Sequence, residues 1–201
     1  NHDSNNPKMA LALCAFYKGL DKPDIKKTLA KFNYLKLEDI ERYKEDIYSC
    51  YMTNHLVFDS QNPLKEDMNV DNTKWFVETF INSSDAVIVG IFDSEEKYLY
   101  GLVIFDNIRF ANKSSAQVHI VNDKSIFGKK VRGLYEEILS TCMLDTVYAE
   151  IPSMAVHAIA LCKRLGFKKT GYIPDILPYV NCSGEEKMYD IQIWTWRRTD
   201  A

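Results

Sequence analysis

Three strand-like runs stand in a row near the middle of the chain: "AVIVGIF" (86–92), "YLYGLVIF" (98–105) and "AQVHIV" (116–121). Short polar turns join them, "DSEEK" and a segment containing "NKSS". β-Branched and aromatic residues bounded by such turns read as strands, and turns this short force an antiparallel meander. The C-terminal part of the chain alternates in character. "TVYAEI" (146–151) reads as a strand, and "KKTGYI" (168–173) and "MYDIQIWTW" (188–196) as two more, separated by a loop containing Pro and Gly. Helical stripes lie between them: Val131, Leu134, Tyr135, Ile138, Leu139 and Cys142, then Met154, Ala158, Leu161 and Leu165. Upstream, "NYLKL" (33–37) predicts a first strand, and "EDIERYKEDIYSCY" and "NTKWFVETFI" predict two helices, the second capped by Asn72 or Thr73. The order β-α-α-β-β-β-α-β-α-β-β describes one α/β domain built on a mixed sheet, over residues 33–201. Residues 1–32 read as an N-terminal extension, in which "PDIKKTLAKF" (23–32) predicts a helix and 1–8 a tag or frayed end.

Composition narrows the function. At 46% hydrophobic residues the chain supplies a full core, and no apolar run approaches the roughly 20 residues of a membrane span. A formal net charge of −3 argues against broad attraction to nucleic acid or anionic lipid. Cys14, Cys50, Cys142, Cys162 and Cys182 are odd in number and lack a C-x-x-C, which suits free thiols in a reducing, cytoplasmic setting. The four histidines lie far apart, so no metal site is expected.

The stretch "FGKKVRG" (127–133) falls where a strand gives way to a helix. A helix start offers N–H groups without partners and the positive end of the macrodipole. Gly128 lets backbone approach an anion closely, and Lys129, Lys130 and Arg132 add charge, so the turn suits a pyrophosphate. A solvated turn with outward cations is the plainer alternative.

Farther on, "AVHAIALCKRLGFKKTG" resembles the end of the GNAT superfamily of acyl-CoA-dependent N-acetyltransferases. In that family a helix reading roughly N-x-x-A-x-x-L-Y-x-K-L-G-F follows the fifth strand. "SIFGKKV" resembles the family's Q/R-x-x-G-x-G/A loop, with Ser125 first and Gly128 at the first glycine, and the element order is also shared. Lys130 takes the place of the second small residue, Ala155 that of a frequent Asn, and Cys162 that of a Tyr that often protonates the departing thiolate.

The resemblance implies acetyl-CoA as acyl donor and a primary amine as acceptor, small molecule or protein, with direct attack on the thioester. It implies a sheet splayed around an acyl-CoA cleft, with backbone near Ile120 and Val121 holding the pantetheine. It also implies a pyrophosphate site over Phe127, Gly128, Lys129, Lys130, Val131, Arg132 and Gly133, with Ser153 nearby. The last strands often meet a partner in this family, which leaves room for a homodimer; neither nucleic acid nor membrane is expected. A catalytically degenerate module that binds acyl-CoA or a protein is the competing expectation, motivated by Ala155 and Cys162.

Four residues carry the candidate chemistry. His119 and Glu150 suit a base in a dry cleft, and an acid such as Glu150 inside an apolar strand is unusual. Tyr148 shares the face of Glu150 by the two-residue period and is a candidate proton donor. Cys162 is a second candidate donor, although a small buried thiol in a helix stripe is the commoner case.

Overall fold

A computed structural model of the chain describes residues 30–53, 69–123, 129–180 and 186–198. Seven strands form one sheet in the order β1-β2-β3-β4-β5-β7-β6. In chain order the elements are β1 (Ala30–Tyr34), α1 (Leu37–Arg42), α2 (Lys44–Thr53), α3 (Val70–Ile81), β2 (Val87–Asp93), β3 (Leu99–Phe110) and β4 (Ser114–Asn122). Next come α4 (Lys129–Thr141), β5 (Thr146–Pro152), α5 (Val156–Arg164), β6 (Lys168–Val180) and β7 (Glu186–Arg197). The predicted α/β class is that of the structure, the element order is the predicted one with its first helix divided in two, and β2 to β4 form the predicted meander.

Local details depart from expectation for identifiable reasons. The first strand starts at Ala30, not residue 33, so the helix read over 23–32 cannot run to its end. Ala30, Lys31 and Phe32 instead pair with Asp93, Phe92 and Ile91 of β2, and cross-strand pairing overrides a modest helical preference. The helix predicted across 38–51 divides at Tyr43, which ends α1 with φ −108°. Its hydroxyl donates to the Glu96 carbonyl at 2.5 Å, tying the break to the β2–β3 turn. Asn69, rather than Asn72 or Thr73, caps α3, its side chain accepting from the Asn72 N–H at 2.9 Å. Strand β6 runs through Pro174 and Pro178, where the sequence predicts a loop; an irregularity between Ile173 and Leu177 absorbs Pro174.

Both faces of the sheet are covered. On one, α1, α2 and α3 bury Ile40, Tyr43, Ile47 and Val77 against Ile88, Leu102, Ile104 and Val121. On the other, α4 and α5 bury Leu134, Ile138, Leu139, Cys162 and Leu165 against Val118, Val147, Ala149 and Ile151. Strand residues i and i+2 share a face, so the two cores divide β4 between them. Ala116 and Val118 serve the α4/α5 core, and Val121 the α1–α3 core.

Gly133 belongs to α4 rather than to a loop, and a Cβ added there meets nothing within 4 Å. Gly133→Ala is therefore expected to stabilise the fold by about 0.5–1 kcal/mol by removing the helical glycine penalty. Ile138→Ala, which empties a side chain only 2% exposed, is expected to cost about 2–5 kcal/mol. Urea unfolding of the three chains checks both.

Candidate active site

The site begins where the sheet comes apart. β4 and β5 run parallel and pair only at Ser115↔Thr146, Ala116↔Val147 and Gln117↔Tyr148. Beyond that point each strand keeps its outer neighbour. β4 stays on β3 as far as Asn122↔Gly101, and β5 stays on β7 as far as Pro152↔Ile191. Among the described residues, no strand pairs with the inner edges beyond that point, from Val118 on one side and Ala149 on the other, and the space between them is the candidate gap.

Backbone parity says which groups line it. The Asp123 N–H donates to the Tyr100 carbonyl on β3 at 2.9 Å, while the Ser114 carbonyl on the opposite parity accepts from Asp145, at the start of β5, at 3.2 Å. Because N–H and C=O groups alternate sides along a strand, those of Ile120 and Asn122 point into the gap. Those of Val121 point to β3, where it pairs with Leu102, and its side chain is 1% exposed in the α1–α3 core. Of the two backbone positions expected to line the cleft, Ile120 has the right parity.

Side-chain parity assembles the rest. Gln117 and Tyr148 are the last pair before the strands part. One step on along the same face come His119 on β4 and Glu150 on β5, standing on opposite lips of the gap. That face is the one carrying α1–α3: the Phe80 ring of α3 lies 6.4 Å from the His119 ring, centroid to centroid. His119 is 9% exposed and Gln117 7%. Burial without partners would be costly, and both have one. His119 Nε2 lies 3.1 Å from Asp106 Oδ1, and the Gln117 Oε1 accepts from Asn107 Nδ2 at 3.4 Å. The sequence reading does not single out Asp106 or Asn107. An acid following the apolar run "YLYGLVIF" is the one signal for them, and the strand read as ending at Phe105 stops short of both, whereas β3 continues to Phe110.

Tyr148 sits among these charges. Burial first, and then the Glu150 and Asp106 carboxylates, raise its pKa against a smaller lowering by Arg109, so the phenol keeps its proton at neutral pH. Cys162 is elsewhere. It is 6% exposed within the α4/α5 core, and burial pushes its thiol up to about 12. The other face of the sheet therefore holds His119, Tyr148 and Glu150 together without it. Ser153 follows β5, and its N–H is already given to the Asp190 carbonyl at 2.8 Å. Ala155 precedes α5 with no side-chain cap. Ser125, Phe127 and Gly128 lie outside the described residues, while Lys129, Lys130, Val131 and Arg132 form the first turn of α4, as the strand-to-helix reading of that stretch predicts. Among the described residues no cluster of His, Cys, Asp and Glu could hold a metal ion, and no helix is long and apolar enough to cross a membrane.

No family model matches the chain, and no curated protein does. Solved structures do. A spermidine N-acetyltransferase from Vibrio cholerae in complex with CoA and spermine superimposes with a TM-score of 0.62 at 16% identity, over 84% of this chain and 95% of that one. A point variant of the Vibrio cholerae enzyme gives the same TM-score, 0.62, at 17% identity over 84% of this chain and 93% of that one. A proposed phosphinothricin N-acetyltransferase gives 0.59 at 19% identity, over 86% of this chain and all (100%) of that one.

The Cys162 shift makes a sign-definite prediction. A thiol whose pKa is raised on folding contributes stability that is whole below its unfolded pKa and is lost as pH climbs through the folded one. For Cys162 the window runs from 9.0 to about 12. The unfolding free energy is expected to fall as pH rises above about 9, and to fall less steeply in Cys162→Ala, with a limit of about 1.4 kcal/mol per pH unit for one thiol. Urea titrations at pH 8 and at pH 10.5 measure the slope; equal slopes in the two chains would contradict this burial.

Proposed function

The chain has the fold of the GNAT N-acetyltransferases, and on that premise we propose that it is itself an N-acetyltransferase. The acetyl group passes from acetyl-CoA to a primary amine by direct attack. The observation that carries this reading is the parallel ladder of β4 and β5, which stops after Gln117↔Tyr148 and leaves titratable groups on both lips of an opening between two strands.

The residues present fit an extended thioester ligand. A pantetheine arm is a chain of amides, and the inner edge of β4 presents backbone amides of the right parity at Ile120 and Asn122. The first turn of α4, starting at Lys129 directly after Gly128, supplies N–H donors for a diphosphate. Acetyl-CoA, when bound, supplies the acetyl group as a reactive thioester. In this reading an N–H at Ile120 would polarise its carbonyl. On the same reading His119 or Glu150 takes the proton of the approaching ammonium, and Tyr148, held protonated, donates to the departing sulfur. With atoms and charge balanced, an ammonium and a thioester become an amide, a free thiol and one proton.

A second reading has its own support. Cys162 occupies the place of a Tyr frequent in that family, and its buried thiol is a poor acid; Ala155 removes a side-chain cap from α5. Both suit a module that binds acyl-CoA without turning it over.

Calorimetry with acetyl-CoA, followed by a free-thiol assay, tests both. Acetyl-CoA is expected to bind and Gly128→Glu to abolish binding; no binding by the unaltered chain removes both readings. Thiol release over a panel of amines selects catalysis, and binding without release selects the module. Polyamines head that panel because one similar structure holds CoA with spermine.

A further inference from the structure

We propose that Asp106 is a positioning residue for His119, fixing the tautomer with its proton on Nε2 and so making Nδ1 the nitrogen that accepts the proton of the incoming amine. The proposal rests on the acetyl-transfer reading above and chooses between the two bases it left open.

The first observation is the pair itself. Asp106 Oδ1 lies 3.1 Å from His119 Nε2 with side chains 19% and 9% exposed. A carboxylate is an acceptor only, so the nitrogen facing it carries hydrogen. In a neutral imidazole the other nitrogen is then the base.

A second observation is independent of that distance: β3 is distorted at this residue. β3 and β4 stay in register from Gly101↔Asn122 to Asp106↔Gln117, and then slip so that Arg109 meets Ser115. Three steps on β3 answer two on β4, which is a bulge. It is held by Asn107 in the left-handed region at φ 50°, and by the Ile108 N–H bonded to the Asp85 carbonyl at 2.9 Å. A non-glycine residue at positive φ is strained, and bulges of this kind re-aim side chains. Here the strained residue also uses its amide to hold Gln117, so one irregularity fixes partners for both polar residues at the point where β4 and β5 part.

The third observation is orientation. Asp106 lies on β3, behind His119 as seen from the gap, while Glu150 lies across the gap. A carboxylate on the far side of an imidazole orients it without competing for the substrate. Glu150 has β7 behind it, where its cross-strand partner is the apolar Ile193. His119 with Asp106 is the supported base, and Glu150 remains in the cleft to meet a cationic acceptor.

Two measurements decide. Long-range ¹H–¹⁵N spectra of the free protein at pH 8 read the His119 tautomer directly. Wild type is expected to show hydrogen on Nε2, and Asp106→Ala a mixture of both tautomers. In steady-state assays His119→Gln is expected to lower kcat about 100-fold or more. Asp106→Asn, nearly isosteric and less prone to unfold, is expected to lower kcat about 10-fold or more with the KM for acetyl-CoA unchanged. Hydrogen on Nδ1 in wild type overturns the proposal, as does an Asp106→Asn chain that acetylates at the wild-type rate. A wild-type chain that transfers no acetyl group overturns the function beneath it and the proton-accepting role together, while the tautomer measurement still judges the pairing by itself.

Discussion

The parting of β4 from β5 is the constraint on which the rest of the structure depends. A sheet interior ordinarily pairs every N–H and C=O, because an unpaired buried backbone group costs about as much as a lost hydrogen bond. Here two adjacent strands pair at three positions and then stop, although both continue. They continue because each has a partner on its far edge, β3 for β4 and β7 for β5. The opening is thus braced from both sides by ladders that do not depend on what fills it.

Such an opening concentrates chemistry through the two-residue period of strands. One face of the parting strands must feed the α4/α5 core, and it does so with Val118, Ala149 and Ile151. The opposite face is then free to be polar, and Gln117, His119, Tyr148 and Glu150 all fall on it. Of these, Gln117 and His119 are buried, and the cost is met locally. Asp106 answers His119, Asn107 answers Gln117, and no buried side-chain nitrogen or oxygen among the described residues lacks a partner. The same low-dielectric surroundings that make an unpaired group costly raise Tyr148 and keep its proton in place.

Helices on the two faces have different tasks. On the α4/α5 side the contacts are those of a closed core, and Cys162 behaves there as a small apolar residue. At the end of β4 the two sides meet. Tyr135 of α4 donates to the Asn122 side chain, and Ser49 of α2 donates to the adjacent Asp123. Helices from both layers therefore hold the end of β4.

Much of this was written in local patterns. The meander was legible because turns of a few polar residues allow only antiparallel neighbours, and the helix faces because their apolar stripes repeat at three and four. Tyr148 and Glu150 could be placed on one face from the period of a single strand. The sequence alone did not determine what depended on a partner strand. Ala30–Phe32 took strand form because β2 was there to pair with them, and β6 kept going through two prolines because β7 carried it. Asp106 was hidden for the same reason, since its meaning comes from a bulge that exists only as a mismatch between two strands. Sequence fixes the parity of a residue along its own strand, while register between strands separated by loops is a tertiary quantity. Only register set His119 opposite Glu150 and put a carboxylate behind the imidazole.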